Sequence, residues 1–471
     1  MTGGVVAAVD LGATSGRVML GYVDDGMLRL EAVARFPNGP VPGPDGLHWD
    51  FTRLYAHILD GLRDAVAREP GLASVGIDSW AVDYGLVHSG ELVGEPFHYR
   101  DERTQQGVER VHAIEPFADL YRRNGLQFLP FNTLYQYATE SGLTDAEAAL
   151  LIPDLVAFLL TGARVAERTN ASTTGLVDVR TGQWDLELAE RLGVPASILP
   201  SLVDPGTRIG ALSRGACEHV GAPLEVVAVG SHDTASAIVA VPLSSPNAAY
   251  ISCGTWGLVG VELDEPVVTD EAREANFTNE GGVDGRVRFL HNVTGLWLLS
   301  ESVRAWEAAD GAAIDLPQLL EAAASVDGEI PSSTPTIRAC PHRVTCPPAS
   351  RRCSAKPAYR CPRRAPRSLA PSSRASRRRS PGRCIRPAGS PAATSTSCIS
   401  SAAERSTACC ARRADRSGLP VLAGPVEATA LGNVLVQARA HGWFGADASL
   451  ETLREAVAAA FPPVRYEPRA G

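Results

Sequence analysis

Two short segments combine carboxylates, hydroxyls and glycines in patterns that suit phosphate chemistry. The first, VDLGATSGRV at 9–18, places Asp10 before a turn rich in Gly, Ser and Thr at 12–16. Backbone N–H groups of such a turn can point at phosphate oxygens, and the hydroxyls add donors. Asp10 at the strand end could hold Mg²⁺, usually through water. A simple hairpin turn is the alternative, because the segment is neither a Walker A loop nor a GxGxxG fingerprint.

The second segment, GSHDTASA at 230–237, places Asp233 between an apolar strand and a helix of small residues. Ligands of α/β proteins bind at the carboxyl ends of strands. A carboxylate at that edge can accept a proton from a substrate hydroxyl. Asp233 could equally cap the following helix, and this stretch alone leaves both roles open.

A further strand–turn–strand pattern, ISCGTWG at 251–257, resembles the first turn through Gly254 and Thr255. Two such hairpins, one in each half of the chain, suggest a duplicated fold that grips one nucleotide. A plain hairpin is again the alternative. We expect Cys253 to be a small buried residue rather than a nucleophile.

Several polar segments are suited to a polyhydroxylated ligand. Trp80 offers an apolar face, while Asp83 and Asn292 offer hydrogen bonds. Core packing or surface salt bridges are the alternative roles for any single Trp or Arg there. The segments are GIDSWAVDYG at 76–85, YRDERT at 99–104, QFLPFNTLYQ at 127–136 and HNVTG at 291–295.

The elements that must position these residues read as α/β sequence over 4–330. Apolar runs of strand length alternate with segments whose apolar residues recur at helical spacing. The pattern predicts strands at 5–11 and 16–23, a helix over 51–70, a strand–loop–strand over 73–94, a strand–turn–helix over 224–241, two strands over 248–263, a helix over 291–309 and a strand–loop–helix over 418–443.

Bulk properties favour a cytoplasmic protein of at least two domains. The chain has 471 residues, is 45% hydrophobic and carries a formal charge of −9. No run of eighteen apolar residues could span a bilayer, and the N-terminal segment lacks a basic region followed by a long apolar one. We therefore expect neither a membrane partner nor a secretory leader.

One window, 331–417, departs from this texture. It holds 18 Arg, one Lys and two acids, a formal charge of +17, and eight of the ten Cys. Pro, Ser, Arg and Ala dominate, and no apolar period is visible. Its composition predicts disorder.

Taken together the motifs resemble the FGGY carbohydrate kinases of the actin/hexokinase-like superfamily, closest to the branch that acts on L-rhamnulose. They occur in the family's order and cover nearly the whole chain outside 331–417. The motifs are VDLGATSGRVML, GIDSWAVDYGLV, YRDERT, GLQFLPFNTLYQ, TNASTTGLVD, SHDTASA, ISCGTWGL, NEGG and GPVEATALGN.

The resemblance implies an α/β fold of two actin/hexokinase-like (ribonuclease H-like) domains with a cleft between them. We predict an N-terminal domain over 1–238, with the phosphate turn and sugar site, and a C-terminal domain on the nucleotide side over 239–471. The second domain is interrupted at about 331–417. A monomer or homodimer is expected.

The implied reaction is ATP-dependent phosphorylation of the 1-hydroxyl of L-rhamnulose, with Mg²⁺ held by Asp10 and Asp233 as general base. Ala81 and Ser300 stand where some relatives have Gly and Gln. The implied nucleotide contacts are Ala13, Thr14, Ser15, Gly16, Arg17, Thr255 and Ser300, and the sugar contacts are Ala81, Asp83, His232, Asp233, Thr234 and Asn292.

The family also expects a Gly-Gly-Gly turn shortly before residue 418, which lets backbone approach the adenosine. Here the region reads CISSAAERSTACC at 398–410. The genetic code can be read one base out of frame, so that each new codon takes the last base of one residue's codon and the first two bases of the next. This shifted frame permits three glycines at 401–404, after a strand with Val, Leu or Ile at alternate positions. The same shift over 331–347 permits an acidic, Pro-rich segment that this branch carries. We hypothesise that 331–417 is a frameshifted translation bounded by two compensating single-base changes.

Other readings of the chain stay open at this stage. Another ketose such as L-fuculose or L-xylulose could be the substrate, and an inactive kinase remnant would follow if the chain exists as written. A basic nucleic-acid-binding arm is the rival for 331–417. It lies inside a domain and lacks aromatic interleaving beyond Tyr359, so we expect no nucleic-acid partner. No CxxC pair supports a zinc module.

Overall fold

The structure, a computed structural model, describes residues 3–24, 27–243, 248–253, 256–294, 297–324, 395–400, 407–445 and 447–469. Among these residues no helix is both long and apolar enough to cross a bilayer. The Arg-rich stretch at 363–383 and the three codon junctions at 401–404 lie outside the described residues.

Twenty strands are assigned in the described ranges. They are β1 Gly4–Leu11, β2 Ser15–Asp24, β3 Met27–Pro37, β4 Pro40–Pro42, β5 Leu47–Trp49, β6 Ser74–Ser79, β7 Tyr84–His88, β8 Glu91–Leu92, β9 Ala148–Leu151, β10 Val165–Glu167, β11 Ser201–Val203, β12 Arg208–Ala211, β13 Glu225–Val227, β14 Ala248–Cys253, β15 Trp256–Leu263, β16 Thr278–Gly281, β17 Val287–Thr294, β18 Ser395–Ser400, β19 Val421–Ala423 and β20 Val464–Tyr466.

The helices connect and cover these strands. The α-helices of the described ranges are α1 Phe51–Arg68, α2 Thr104–Ile114, α3 Phe117–Asn124, α4 Thr133–Tyr137, α5 Ile152–Thr161, α6 Arg168–Ala171, α7 Leu186–Arg191, α8 Arg214–Val220, α9 Asp233–Val239, α10 Asp270–Glu274, α11 Trp297–Asp310, α12 Leu316–Ala324, α13 Thr407–Ser417, α14 Ala428–Ala440 and α15 Leu450–Ala460. Short 3₁₀ turns occur at Ser172–Thr174, Ala196–Ile198 and Val283–Gly285.

Two large mixed sheets form the frame. The first has the strand order β12-β13-β6-β1-β2-β3, and the second has the order β16-β17-β15-β14-β18-β19-β20. In each, an antiparallel hairpin is joined to a parallel neighbour: β1 pairs with β2 and with β6, and β14 pairs with β15 and with β18. The two hairpins are the two strand–turn–strand motifs, so their predicted strands are confirmed.

Strand β1 is buried on both faces because it feeds two separate cores. Ala7, Val9 and Leu11 pack with α1 residues in one cluster. Val6 and Ala8, which alternate with them, pack in a cluster that includes residues of α9 and α14. Since side chains alternate along a strand, Asp10 takes the same face as Val6 and Ala8.

By its internal contacts the chain divides into two compact units, Met1–Val293 with Pro391–Gly471, and Thr294–Ser390. Both large sheets are built almost entirely from residues of the first unit. The described part of the second unit consists of α11 and α12. The predicted domain boundary at 238 falls between the two sheets, after β13 and before β14, and stays a prediction.

Two local expectations are wrong. The helix predicted over 291–309 begins only at Trp297, because His291–Thr294 continue strand β17. The predicted disorder of 331–417 does not hold throughout, since 395–400 form β18 between β14 and β19, and 407–417 form α13. Strand β18 is therefore an interior strand of the second sheet, although it lies in the window whose composition predicts disorder. Cys410 and Ala414 of α13 are buried against β19.

Candidate functional site

Five polar residues meet near the carboxyl ends of neighbouring strands in the first sheet. Asp10 of β1 lies in parallel register with Asp78 of β6. Ser79, which follows Asp78, forms a parallel bridge with His232, and Asp233 comes next in the chain. The edge of the sheet thus brings Asp10, Asp78 and Asp233 into one electrostatic neighbourhood, where Asp10 raises the pKa of both Asp78 and Asp233, and Asp233 also raises the pKa of Asp78.

The turn at 12–16 is held from two sides. Its own backbone closes with the N–H of Gly12 donating to Ser15 O at 2.9 Å. Asn38, which follows β3, donates from Nδ2 to Gly12 O at 2.8 Å and from its backbone N–H to Thr14 O at 3.1 Å. A Cβ at Gly16 would lie 2.1 Å from the Phe36 ring. Glycine there lets β2 pack closely against the Phe36 ring of β3.

Arg17 connects the turn to a distant part of the chain. Its Nε and Nη2 donate to Asp10 Oδ2 at 2.9 and 2.6 Å, and its Nη1 bonds Glu427. Glu427 lies immediately before α14. The Arg17 side chain is less than a quarter exposed. The carboxylates of Asp10 and Glu427 balance its charge.

Asp78 is fully buried and only half satisfied. Its Oδ2 accepts from Asn433 Nδ2 at 2.7 Å, whereas Oδ1 has no hydrogen-bond partner among the described residues. Burial, and then the charge of Asp10, raise the pKa of Asp78 well above its ordinary value. A cation near Asp10 would offset the charge of Asp10.

The acidic edge fits Mg²⁺ in the way that nucleotide enzymes hold it. Magnesium keeps most of its waters and takes one or two carboxylates together with phosphate oxygens. Asp10 is nearly buried, and the orphaned Asp78 Oδ1 is close enough to couple with it. The described residues contain no cluster of three or more metal-ligating side chains, so the protein offers anchoring carboxylates rather than a closed cage.

Asp233 is the first residue of α9 and stays accessible. Its side chain is 34% exposed, and its Oδ1 accepts from the N–H and Oγ1 of Thr234. His232 Nε2 lies 3.4 Å from the same oxygen. Burial raises the pKa of Asp233 to about 6, which suits a general base near neutral pH. His232, not Asp233, is the N-cap of α9, and the helix has no side-chain capping bond. The capping alternative is therefore wrong, and the general-base role stays a prediction.

A buried glutamate that the sequence did not single out fixes the backbone before Asp233. Glu167, at the end of β10, accepts from Ser231 N at 2.9 Å and Ser231 Oγ at 2.7 Å. It also accepts from Thr169 N and Oγ1. Its position two residues before TNASTTGLVD was the available signal, but only the fold brings it to Ser231.

Asp83 differs from the predicted sugar contact. Its side chain is fully buried, and Oδ2 accepts from Trp49 Nε1 at 2.7 Å, Trp80 Nε1 at 3.1 Å and Tyr99 N at 3.2 Å. Oδ1 accepts from Gln136 Nε2 at 2.9 Å. Four protein donors therefore use the oxygens that were expected to face a ligand. Asp83 instead orients Trp80, whose ring packs at a tilt of 36° on Trp49 with the centroids 4.1 Å apart.

Ala81 is half-buried, in the loop between Trp80 and Asp83. The next residue, Val82, has a φ of 70°, a left-handed conformation that is uncommon for a β-branched residue. The loop between β6 and β7 is therefore held in a specific shape, with Ala81 N-terminal to the strained position. Its predicted contact with sugar stays a prediction.

Asn292 of β17 joins the site through side chains from other elements. Its N and Nδ2 donate to Gln127 Oε1 at 3.0 and 3.1 Å, and Nδ2 also approaches Glu280 Oε1 at 3.3 Å. Glu280 faces Arg288 across the β16–β17 pair, and Arg288 donates to His232 Nδ1 at 2.9 Å. Asn292 and His232, 60 residues apart, therefore belong to one network.

Two predicted nucleotide contacts stay untested. Thr255 lies outside the described residues, as does the side chain of Cys253. Ser300 is an exposed residue of α11 in the second unit. Their roles stay predictions.

The residues that sequence reasoning missed are mostly buried partners. Glu280 stands in the quoted NEGG motif, Gln127 in GLQFLPFNTLYQ and Glu427 in GPVEATALGN, so their motifs were recognised without their roles. Arg288 had one signal, an arginine within the apolar run of Val287–Leu290.

Comparisons with known proteins match a protein family over most of the chain. Residues 5–240 match the N-terminal domain, and residues 249–356 the C-terminal domain, of the FGGY family of carbohydrate kinases. The second match ends inside the 331–417 window.

Similar full-length proteins were also found. The rhamnulokinase of Bacteroides thetaiotaomicron is 36% identical over 98% of this chain and 95% of that protein. The rhamnulokinase of Yersinia pestis bv. Antiqua is 43% identical over 68% of this chain and 66% of that protein. A gluconate kinase from Lactobacillus acidophilus has a TM-score of 0.73 at 13% identity, with 99% and 94% of the two chains covered. That likeness confirms the predicted two-domain kinase fold, and the family matches add the chemistry: the chain belongs to the FGGY family of carbohydrate kinases.

Proposed function

We propose that this chain phosphorylates the 1-hydroxyl of L-rhamnulose with ATP and Mg²⁺. The observation that carries the proposal is the accessible, partly enclosed carboxylate of Asp233 beside His232, at the sheet edge that also holds Asp10. The sugar is inferred from relatives that bear the name rhamnulokinase.

Asp233 takes the proton of the sugar hydroxyl in this proposal. The hydroxyl oxygen bonds to the γ-phosphorus of ATP as the bond to the bridging oxygen breaks, and ADP leaves. Phosphoryl transfer needs little from a protein beyond positioning and neutralisation of charge. The raised pKa of Asp233 makes its carboxylate a stronger base than an exposed aspartate.

The remaining residues position the two substrates. ATP with Mg²⁺ supplies the phosphoryl group and charge neutralisation when bound. The turn at 12–16 and Arg17 would hold the phosphates, and Asp10 would hold the metal through water. His232, Thr234 and Asn292 would hold the sugar, with Trp80 as its nearby apolar wall.

The test is an ADP-release assay with ATP across a ketose panel that contains L-rhamnulose, L-fuculose and L-xylulose. We expect the highest kcat/KM with L-rhamnulose. Asp233→Asn should reduce kcat by about 10²- to 10⁴-fold, the usual contribution of a general base, while binding of the ketose persists.

A matched control is Asp270→Asn. Asp270 is likewise the first residue of a short helix, α10, but its side chain is 61% exposed and it lies outside the site. It should leave kcat within twofold. Folded protein that phosphorylates none of the ketoses would contradict the function, and a better ketose than L-rhamnulose would correct the substrate.

A further inference from the structure

A fully buried ion pair lies behind the candidate sugar site. Glu280 of β16 and Arg288 of β17 occupy directly paired positions of an antiparallel pair, with Oε2 and Nη2 3.2 Å apart. Arg288 Nε also donates to Gly281 O at 2.9 Å. Buried ion pairs often contribute less than apolar side chains of equal size. We therefore look for a role of the Glu280–Arg288 pair other than stability.

The arginine end of the pair fixes the chemistry of His232. Arg288 Nη2 lies 2.9 Å from His232 Nδ1. A guanidinium can only donate hydrogen bonds, so Nδ1 must be the acceptor and the ring proton must be on Nε2. Burial and the charge of Arg288 hold the pKa of His232 well below its ordinary value, which keeps the ring neutral.

The Nε2–H that results faces the catalytic side. Nε2 is the atom 3.4 Å from Asp233 Oδ1. Glu280 Oε2 lies 3.5 Å from Nδ1, and Arg288, closer to both, bridges them. Without that bridge, the nearest carboxylate to Nδ1 would attract the proton to the wrong nitrogen.

The glutamate end fixes the orientation of Asn292. The backbone N–H of Asn292 can only donate, so the Gln127 atom that it meets at 3.0 Å must be Oε1. The Asn292 atom that faces this oxygen and Glu280 Oε1 must then be Nδ2. Asn292 therefore commits its donors to the protein and presents Oδ1 as an acceptor.

Two orphaned donors beside this network indicate a polar occupant. Gln127 Nε2 and Arg288 Nη1 are buried and have no hydrogen-bond partner among the described residues. The side chains themselves are 1% and 0% exposed. Buried donors without acceptors are costly, and the oxygen atoms of a polyol or of ordered water would satisfy them.

We infer that the Glu280–Arg288 pair is a positioning unit that makes His232 a donor at Nε2 and Asn292 an acceptor at Oδ1. The matching ligand is a sugar that offers an oxygen to one residue and a hydroxyl proton to the other. This inference rests on the proposed function, in which both residues contact the ketose. Arg288 and Glu280 act through them rather than on the reacting atoms.

The primary test measures the tautomer of His232 by ¹⁵N NMR of histidine-labelled protein. The chain has ten histidines, and the signal lost in His232→Gln identifies the relevant one. The unsubstituted protein should show the Nε2–H form. In Arg288→Met the proton should move toward Nδ1, or the ring should become charged, because Glu280 is then the group that faces Nδ1.

Kinetics supply the second readout. Arg288→Met should raise the KM of the ketose about tenfold, the effect of one misdirected hydrogen bond, and leave the KM of ATP within twofold. Arg288→Lys keeps the charge but not the planar fork, and should restore part of both effects. Should the Met variant not fold, the Lys variant carries the same test.

Arg454→Met is the matched control. Arg454 and Glu262 form another enclosed pair, with side chains 6% and 10% exposed and two bonds of 2.9 Å. Its loss should lower the melting temperature without changing the His232 signal or the ketose KM.

An unchanged His232 tautomer in Arg288→Met would overturn the inference, as would an equal rise of ketose KM in Arg454→Met. If only Arg288→Lys folds, a tautomer and a ketose KM that both equal those of the unsubstituted protein would overturn it. If the unsubstituted chain phosphorylates no ketose, the proposed function fails, while the NMR comparison still decides whether Arg288 sets the tautomer.

Discussion

Arg17 of the phosphate turn bonds Glu427, a residue 410 positions later in the chain. The same guanidinium donates twice to Asp10. One cation thus connects the turn after β1, the candidate metal-holding carboxylate and the residue before α14. The bond links the segment between β19 of the second sheet and α14 to strand β2 of the first sheet.

Glu427→Gln should increase the Mg²⁺ concentration needed for half-maximal activity. Without the Glu427 charge, Arg17 is neutralised mainly by Asp10, so that carboxylate becomes less available to a cation. A partly exposed ion pair contributes about 1 kcal/mol or less, so we expect a rise of roughly three- to fivefold. Mg²⁺ titration at saturating ketose measures it. Glu31→Gln, which removes an exposed pair with Arg29, is the control, and an equal response in both variants would refute the coupling.

The pH dependence of phosphorylation should report Asp233. Its pKa is raised to about 6, chiefly by burial. A base acts when deprotonated, so kcat/KM should fall about tenfold per pH unit below that value and level off above it. Thr234→Val removes the Oγ1 donor at 2.9 Å that stabilises the carboxylate, so the midpoint should move to higher pH. A midpoint that Thr234→Val leaves in place would show that another group titrates.

Asp83→Asn should destabilise the first sheet more than it alters chemistry. An amide in place of the carboxylate puts an NH₂ group against a donor such as Gln136 Nε2. We expect the free energy of unfolding to fall by about 2 kcal/mol, and the ketose KM to rise because Trp80 loses its anchor. Denaturant titration measures the stability. Asp119→Asn, on a side chain 51% exposed, should change it by about 0.5 kcal/mol or less. Equal stability of the two variants would contradict the claim that the hydrogen bonds of Asp83 stabilise the first sheet.

The elements and motifs of the site could be predicted from the sequence, but the hydrogen bonds and ion pairs between its side chains could not. Strand-length apolar runs and turn residues located β1, β2 and the helix after Asp233, because these signals are local. Sequence patterns predicted a ligand-facing Asp83, because nothing local shows that two indoles, 34 and 3 residues away, donate to its carboxylate. Arg288 and Glu280 were missed for the same reason: their importance depends on His232, 56 positions from Arg288.

Gly432→Ala should disturb the helix that begins with Asp233. Gly432 lies in α14 where it crosses α9, and a Cβ there would stand 1.8 Å from Ser236 O. Because that atom belongs to the backbone, α9 must shift, at a cost of about 1–3 kcal/mol, and kcat should fall as Asp233 moves. Gly215→Ala in α8 is the control, since its Cβ would meet nothing within 4 Å, and it should gain up to about 1 kcal/mol. Thermal unfolding and kcat together separate the two cases, and a Gly432→Ala protein with normal kcat would contradict the coupling.

The frame of 331–417 gives a prediction about the gene. Strand β18 lies between β14 and β19, parallel to both, yet its sequence is STSCIS. Interior parallel strands are normally runs of Val, Ile and Leu. The one-base shift permits such residues at alternate positions and a Gly-Gly-Gly turn directly after them. The position of β18 in the sheet and the shifted codons therefore both point to an apolar sequence for this strand, and the shifted codons add a glycine turn after it.

Resequencing across both boundaries should reveal two compensating single-base changes. A protein with 331–417 replaced by the shifted translation should be more stable than the chain as written, by roughly 2 kcal/mol for each apolar side chain that β18 then buries. It should also bind ATP more tightly, because glycines at 401–404 let backbone approach the adenosine. A matched replacement that keeps the strand residues but substitutes alanine for the three glycines separates the two effects: it should regain stability without nucleotide affinity. Intact bases, together with full ATP-dependent activity of the chain as written, would refute the frameshift.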